Sequence, residues 1–334
     1  MAITLTLDEV QSLARRILVA CNTRPDHAES VARSVAASEA DGIHSHGLAR
    51  LPTYCEHARV GKIDGHADPV LEQLSAAAVR VDARDGFAHP AIDLGLPRLV
   101  SLARESGIAA LAVTNSCNCG VCGYHVERIA QSGLVALGFV NAPASVAPWG
   151  GRQPVFGTNP LSFAAPRPSG PPLVIDQSSS VVAKSELVVH KRRNEPIPEG
   201  WALDANGSAT TDPAAGLQGS MVPMGGYKGA GIALIVEIMA AAMTGATFAM
   251  HASSFADNEG GSPRTGQFFI ALDPGRFAGA AFGERLEELL VAIEGQAGAR
   301  LPGQGRLSAR ERTRRDGITI DEALHEQIEG YLGD

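Results

Sequence analysis

The stretch PMGGYKGAGIALIVEIMAAAMTGA, residues 223–246, constrains the fold of this chain more than any other. It places Gly225, Gly226, Gly229 and Gly231 within seven residues and then runs on as a nearly all-apolar helical segment. Glycines permit close backbone approach, and a helix N-terminus exposes unpaired N–H groups at its positive dipole end, so together they favour an anion. Lys228 adds a point charge. The order G-x-x-G-x-G is not the G-x-G-x-x-G of a Rossmann turn, and Lys228 is followed by Gly229 where a Walker loop requires Ser or Thr. Two readings stand: a nucleotide-phosphate loop of another kind, or a tight turn before a buried helix.

The sequence around this loop predicts helical ends enclosing an α/β middle. Thr6 and Glu9 form a capping box before Val10, Leu13 and Ile17, which recur on one helical face. A second helix starts near Pro25, turns Ala28, Val31, Ala32 and Val35 inward, and ends at Asp41-Gly42. A third runs from Pro90 to Ser106 and is stopped by Gly107. Short apolar runs at 108–114, 134–141, 161–166, 172–177 and 268–274, bounded by Gly, Pro, Asn and Ser, read as buried strands, with a helical pattern over 126–132. Residues 284–295 read as an amphipathic helix with Leu286, Leu289, Leu290 and Ile293 on one side. The expected organisation is an N-terminal helical segment (1–75) packed with C-terminal helices (284–334), and an α/β core over 76–283.

A formal net charge of −8 argues against a nucleic-acid partner. No run approaches the roughly 18 apolar residues of a membrane span, and the N-terminus lacks the basic and apolar regions of a secretory signal. The chain reads as cytoplasmic, with reduced thiols. Cys117, Cys119 and Cys122, followed by His125, form the one cluster that invites a metal. A solitary C-x-C-x-x-C lacks the second ligand pair of a zinc site, so buried thiols and no metal are expected.

Polar residues gather in two other places. In DGIHSHGLARLP, Ser45, His46 and Arg50 flank Gly47. An imidazole that titrates near neutrality, beside a guanidinium able to clamp a carboxylate, is the pair that a 2-oxo or 2-hydroxy acid enzyme requires. A helix-capping histidine and a solvated arginine are the alternative. Asp176 ends the apolar run PLVID before Ser178, Ser179 and Ser180, where an aspartate either orients a catalytic imidazole or caps the next helix.

Taken in order, DGIHSHGLARLPTY, PWGGRQPVFGTNPLSFAAP, VIDQSSS, IPEGWALDANGSATTDP, GGYKGAGIALIVEIMAAAMTGA and GQFFIALDP resemble the type-2 malate/L-lactate dehydrogenase family of NAD(P)-dependent oxidoreductases. That family includes sulfolactate and ureidoglycolate dehydrogenases and reductases of piperideine- and pyrroline-2-carboxylate. The resemblance covers roughly residues 5–310 and implies an α/β, non-Rossmann NAD(P)-binding fold and a homodimer. It implies that His46 is the proton donor and acceptor, with Ser45, Arg50 and Asp176 beside it. Gly157, Thr158, Asn159, Pro160, Ser180, Gly225, Gly226, Lys228 and Gly229 would line the cofactor pocket. Arg50 or Lys228 would bind the carboxylate of a small substrate, with Asn118 in the substrate pocket. From the residues themselves, Lys191, Arg192 and Arg193 either pair with a 2′-phosphate, favouring NADP(H) over NAD(H), or form a solvated basic turn.

Two departures from the family pattern bear on substrate and cofactor contacts. Asn115-Ser116-Cys117-Asn118-Cys119-Gly120 stands where most members carry an NSHHFG-like segment, and Ser185-Glu186 where many carry Gly-Lys. Hydride transfer at the carbon alpha to a carboxylate, of the 2-hydroxy acid/2-oxo acid type, is the expected reaction. Reduction of cyclic imino acids is the alternative, and a non-catalytic cofactor-binding relative the remote one.

Overall fold

The computed structural model describes residues 2–333. Strand β1 (Ala2–Leu5) leads into α1 (Leu7–Ala20), whose capping box forms as the sequence predicts. Thr6 Oγ1 accepts from the Glu9 N–H at 3.2 Å, and the Glu9 carboxylate accepts from the Thr6 N–H at 2.7 Å. Helix α2 (Pro25–Ala40) starts at its proline and buries Ala28, Val31, Ala32 and Val35. Together with α3 (Leu51–Arg59), these helices share one apolar cluster with Ile318, Ile320 and Ile328 from the far end of the chain.

The middle of the chain builds one mixed sheet. Its strands are β2 (Val70–Ser75), β3 (Ala78–Asp82), β4 (Ile108–Ser116), β5 (Val135–Val140), β6 (Leu161–Ala165), β7 (Leu173–Gln177) and a late one over Thr265–Leu272. Helix α4 (Ala88–Ser106) ends at Gly107, which is left-handed at φ 82°, and α5 (Cys122–Gln131) follows β4. Helix α6 (Lys184–Arg193) opens a small subdomain with β8 (Ala202–Leu203), β9 (Ala209–Thr210), α7 (Pro213–Gln218) and β10 (Ser220–Met221). The GGYKG loop then leads into α8 (Tyr227–Glu237), which continues as a π turn over Ile238–Ala242. The late strand is β11, followed by α9 (Pro274–Phe277), α10 (Ala281–Glu294), α11 (Gln304–Asp316), β12 (Ile318–Asp321) and α12 (Glu322–Gly330). Strand β12 pairs antiparallel with β1, setting Ile3 opposite Ile320.

The sheet order is β2-β3-β4-β11-β5-β6-β7, and among the described residues only β3 and β4 run parallel. A Rossmann sheet needs successive parallel strands joined by helices, so this is a different architecture. Strand β11 inserts between β4 and β5, with Phe269 opposite both Leu111 and Gly138. Alternate side chains of a strand point to opposite faces. Phe269 accordingly enters the core under α4 and α5, while Phe268 packs with Ala112, Phe139, Val236 and Ala240 beneath α8. Burial on both faces explains why these strands read as continuous apolar runs.

Three features were not legible beforehand. Strand β2 is exposed along almost its whole length and has no periodic pattern to detect. Strands β8, β9 and β10 have two residues each, too few to show a period. Helix α10 forms where expected, yet of its apolar stripe only Leu290 is buried and Leu289 is 58% exposed.

Candidate active site

The loop between α2 and α3 consists of two 3-10 turns, His44–His46 and Leu48–Arg50. One buried carboxylate organises it. Glu39, in the last turn of α2, accepts from the Leu48 N–H at 2.7 Å through Oε1, and its Oε2 lies 2.5 Å from His44 Nδ1. A Cβ on Gly47 would lie 2.0 Å from Glu39 Oε1, so the glycine of Ser-His-Gly is required by this close approach. His46 is half-buried, and Ser45 Oγ lies 3.1 Å from its Nδ1. Burial, and then the neighbouring Arg50 charge, push the His46 imidazole down to about 4.

Arg50 is half-buried in an aromatic cradle, its guanidinium 5.6 Å from the Tyr54 ring centroid and 5.9 Å from that of Phe255. Its Nε is buried without a hydrogen-bond partner among the described residues. Tyr54 Oη donates to Asn118 Oδ1 at 3.0 Å, and the Gly120 N–H donates to the same oxygen at 2.8 Å. That fixes the Asn118 amide and leaves its NH2 end for another acceptor. Lys62 is a contrast: its buried ammonium donates to the carbonyls of Ser254, Asp257 and Glu259 at 2.7, 2.9 and 2.6 Å. Lys62 thereby staples the segment carrying Phe255, and its donors are used up.

Asp176 ends β7 as expected, but its carboxylate is not given to His46. It accepts from the Gly123 N–H, in the first turn of α5, at 2.7 Å. A helix N-terminus offers unpaired N–H groups and a favourable dipole to a carboxylate, and α5 begins directly beside the end of β7. The expectation that Asp176 hydrogen-bonds the catalytic imidazole is therefore corrected: no such bond exists among the described residues. Asp176 keeps much of its surface open, yet surrounding protein raises its carboxyl above the usual range. Both hold for a group on the wall of a cleft.

The Gly157–Pro160 turn and the GGYKG loop converge through Ser179. Its N–H donates to Thr158 O and its Oγ to Asn159 O, both at 2.7 Å, while its carbonyl accepts from the Met224 N–H at 2.9 Å. Ser180 bridges to Pro223. The Gly157–Pro160 turn, Ser180 and the loop bearing Gly225, Gly226, Lys228 and Gly229 thus form one wall. Gly157 and Gly229 are dictated by backbone contact, since a Cβ would lie 2.2 Å from Ala142 O and 2.1 Å from Met224 O. Asn159 is fully buried and donates to Ala233 O and Glu237 Oε2, at 3.0 and 2.8 Å. Its side chain ties the turn to α8, so it supports the wall from behind.

Lys228 is exposed on the first turn of α8. Lys191, Arg192 and Arg193 are exposed in the last turn of α6, and no acidic side chain lies within ion-pair distance of them among the described residues. Leu187 of α6 packs with Met221 and with Ala233 of α8, so the basic turn and the glycine loop belong to one packed unit. Cys117 and Cys119 are buried, and burial pushes their thiols up to about 12. Among the described residues no three His, Cys, Asp or Glu side chains are placed to hold a metal ion.

Sequence reasoning missed Glu39, Tyr54, Lys62 and Phe255. Glu39 alone carried a signal, as an acidic residue on the otherwise small and apolar face of a helix just before the Ser-His-Gly motif.

Residues 5–329 match the family model for malate/L-lactate dehydrogenase. The chain is 45% identical to the (2R)-3-sulfolactate dehydrogenase (NADP(+)) of Chromohalobacter salexigens, over 98% of this chain and 97% of that protein. It is 42% identical to a delta(1)-pyrroline-2-carboxylate/delta(1)-piperideine-2-carboxylate reductase of Pseudomonas aeruginosa, over 99% of each. The crystal structure of delta1-piperideine-2-carboxylate reductase from Pseudomonas syringae superposes with a TM-score of 0.94 at 38% identity, covering 98% of this chain and 99% of that one. The chain belongs to the malate/L-lactate dehydrogenase family and is an oxidoreductase with that family's fold.

The Glu39 carboxylate raises the His44 imidazole above its usual value. A raised folded-state pKa contributes stability that is fully present below the unfolded value and is lost as pH rises through the folded one. Glu39→Gln is expected to return His44 to an ordinary imidazole titration, followed by NMR. The thermal-stability gap between parent and variant is expected to be wider near roughly pH 6 than near roughly pH 8. A gap that widens with rising pH would contradict the pairing.

Proposed function

We propose that this member of the malate/L-lactate dehydrogenase family transfers a hydride reversibly between NADP(H) and the carbon alpha to the carboxylate of a small 2-hydroxy or 2-oxo acid. One observation carries the reading: Arg50 is a guanidinium with a buried, unpartnered Nε, set beside an imidazole that burial keeps neutral. A buried donor without an acceptor is unfavourable until an anion supplies one, and a carboxylate fits the guanidinium fork. NADP(H), when bound, supplies or accepts the hydride.

In this reading Arg50 binds the substrate carboxylate, and Lys228 is the second candidate for that contact. His46 exchanges a proton with the substrate oxygen or nitrogen, its ring oriented by Ser45 Oγ at Nδ1. An anion on Arg50 offsets one of the two causes that depress the His46 imidazole, so substrate binding itself raises its proton affinity. The Asn118 NH2 group, oriented by Tyr54, donates to the substrate, and Asp176 lines the same cleft.

The nucleotide is assigned to the wall built from Gly157, Thr158, Pro160, Ser180, Gly225, Gly226, Lys228 and Gly229, with Asn159 behind it. Two features of that wall suit an anionic group. The first N–H groups of α8 are left unpaired by helix geometry, and a Cβ on left-handed Gly225 would meet nothing within 4 Å. Lys191, Arg192 and Arg193 are assigned to the 2′-phosphate, which supports NADP(H), the cofactor in the name of the Chromohalobacter relative.

A second reading, reduction of a cyclic imino acid, is favoured by the Tyr54 and Phe255 rings on either side of Arg50. They form an apolar enclosure suited to ring carbons beside a carboxylate, and the Pseudomonas relatives are named for that reaction. We read the protein as cytoplasmic, its termini forming one discontinuous unit beside the α/β core. We also read it as a homodimer, because Leu234, Ile235, Ile238 and Met243 leave an apolar face of α8 and its π turn open to solvent.

Replacing His46 with Gln is expected to lower turnover roughly 100- to 10,000-fold. NADPH binding, followed by nucleotide fluorescence, should stay within a few-fold of the parent and remain tighter than NADH binding. Turnover close to that of the parent would sink the assignment. Ile235→Asp is expected to yield monomers in analytical ultracentrifugation, whereas an unchanged mass would move the interface elsewhere.

A further inference from the structure

Asp41 closes α2 and stands at the root of the His46 loop, its carboxylate almost fully buried. Two arginines of α11 converge on it. Arg310 binds both Asp41 oxygens and also makes two 2.6 Å bonds to Glu127 of α5. Arg306 Nη1 lies 3.6 Å from Asp41 Oδ2. Like charges four residues apart on a helix repel, so this buried pair persists only because carboxylates are interleaved with it.

Arg306 also reaches past Asp41. A Cβ built on Gly123 would lie 3.2 Å from Arg306 Nη1 and 2.9 Å from Asp176 Oδ2. The guanidinium and the carboxylate therefore crowd the same point beside α5, at most about 6 Å apart, and the Arg306 charge acts on the Asp176 carboxyl. Nη1 is buried and donates no hydrogen bond, so it is not satisfied by Asp41. The groups facing Asp176 are Arg306 from α11, the Gly123 N–H of α5 and the neutral thiols of Cys119 and Cys122. Arg306 is the one charge among them.

We propose that Arg306 is a positioning residue of the active site, coupling Asp41 at the root of the His46 loop to Asp176 at the end of β7. The C-terminal helix α11 thereby holds the two sides of the acid–base site in register. The inference rests on reading His46 and Asp176 as site residues. It gives α11, whose run of arginines reads as a solvated face, a part in the reaction.

The test compares the full-length NADPH-bound protein with Arg306→Gln, Arg306→Lys and Asp176→Asn, through the pH dependence of kcat/KM for reduction. Arg306→Gln is expected to lower kcat about tenfold and to move the titration that Asp176→Asn abolishes upward by about one pH unit. Arg306→Lys, which keeps the charge, should restore most of both. NADPH fluorescence titration reports that each variant is folded with its nucleotide site intact. A Gln variant with the parental pH profile and kcat, and only a lower Tm, would overturn the proposal and leave Arg306 a structural strut. If Asp176→Asn itself leaves turnover and profile unchanged, the role of Asp176 falls, and the proposal with it.

Discussion

A cation left without a carboxylate partner among the described residues governs this structure. Arg50 is held between two aromatic rings with its Nε buried and unpaired. Other buried charges of the fold are already committed. Glu39 is bound to the loop backbone and His44, Lys62 to three carbonyls, and Asp41 and Glu127 to Arg310. Committed charges make a rigid surround, and a half-buried cation left uncommitted is a place where a ligand gains, because part of its desolvation is already met on folding. The neutral His46 next to it follows from the same fact, since the Arg50 charge helps to depress its imidazole.

The scaffold keeps that arrangement in place with long-range contacts. Strand β11, arriving from late in the chain, locks the centre of the sheet. The segment just before it carries Phe255 to Arg50 and is stapled by Lys62. Helix α11 reaches back to Asp41, and Asn159 joins the Gly157–Pro160 turn to α8 through Glu237. The Ser-His-Gly loop, the aromatic cradle and the wall around Ser179 each come from a different part of the sequence. None is complete without a partner more than a hundred residues away or a helix from another layer.

This distribution explains what was legible in the sequence. Local chemistry carried through: the Thr6–Glu9 box, the proline start of α2, the Gly107 stop and the strands at 108–116, 135–140, 161–165 and 173–177 all form close to where the residues indicate. The Ser-His-Gly and GGYKG segments stood out because their glycines answer steric demands at Gly47 and Gly229. What could not be read was pairing across the chain. Asp176 reads as the partner of an imidazole or the cap of the next helix, and it takes neither part: it accepts from the first turn of α5, a helix some fifty residues earlier in the chain. Asn159 ties its turn to Ala233 and Glu237 of α8, and Arg306 approaches Asp41 from a helix far along the chain, contacts that no local pattern announces.

The measurement that tests the central claim most directly is NADPH oxidation with matched substrate pairs. A small 2-oxo acid and a cyclic imino acid would each be compared with the analogue lacking the carboxylate. If Arg50 waits for a carboxylate, at least one acid is reduced and its analogue loses on the order of 100-fold or more in kcat/KM, as expected for a lost bidentate, charge-assisted contact. Equal rates with and without the carboxylate would contradict the account, since the half-buried guanidinium would then have no part in recognising the substrate.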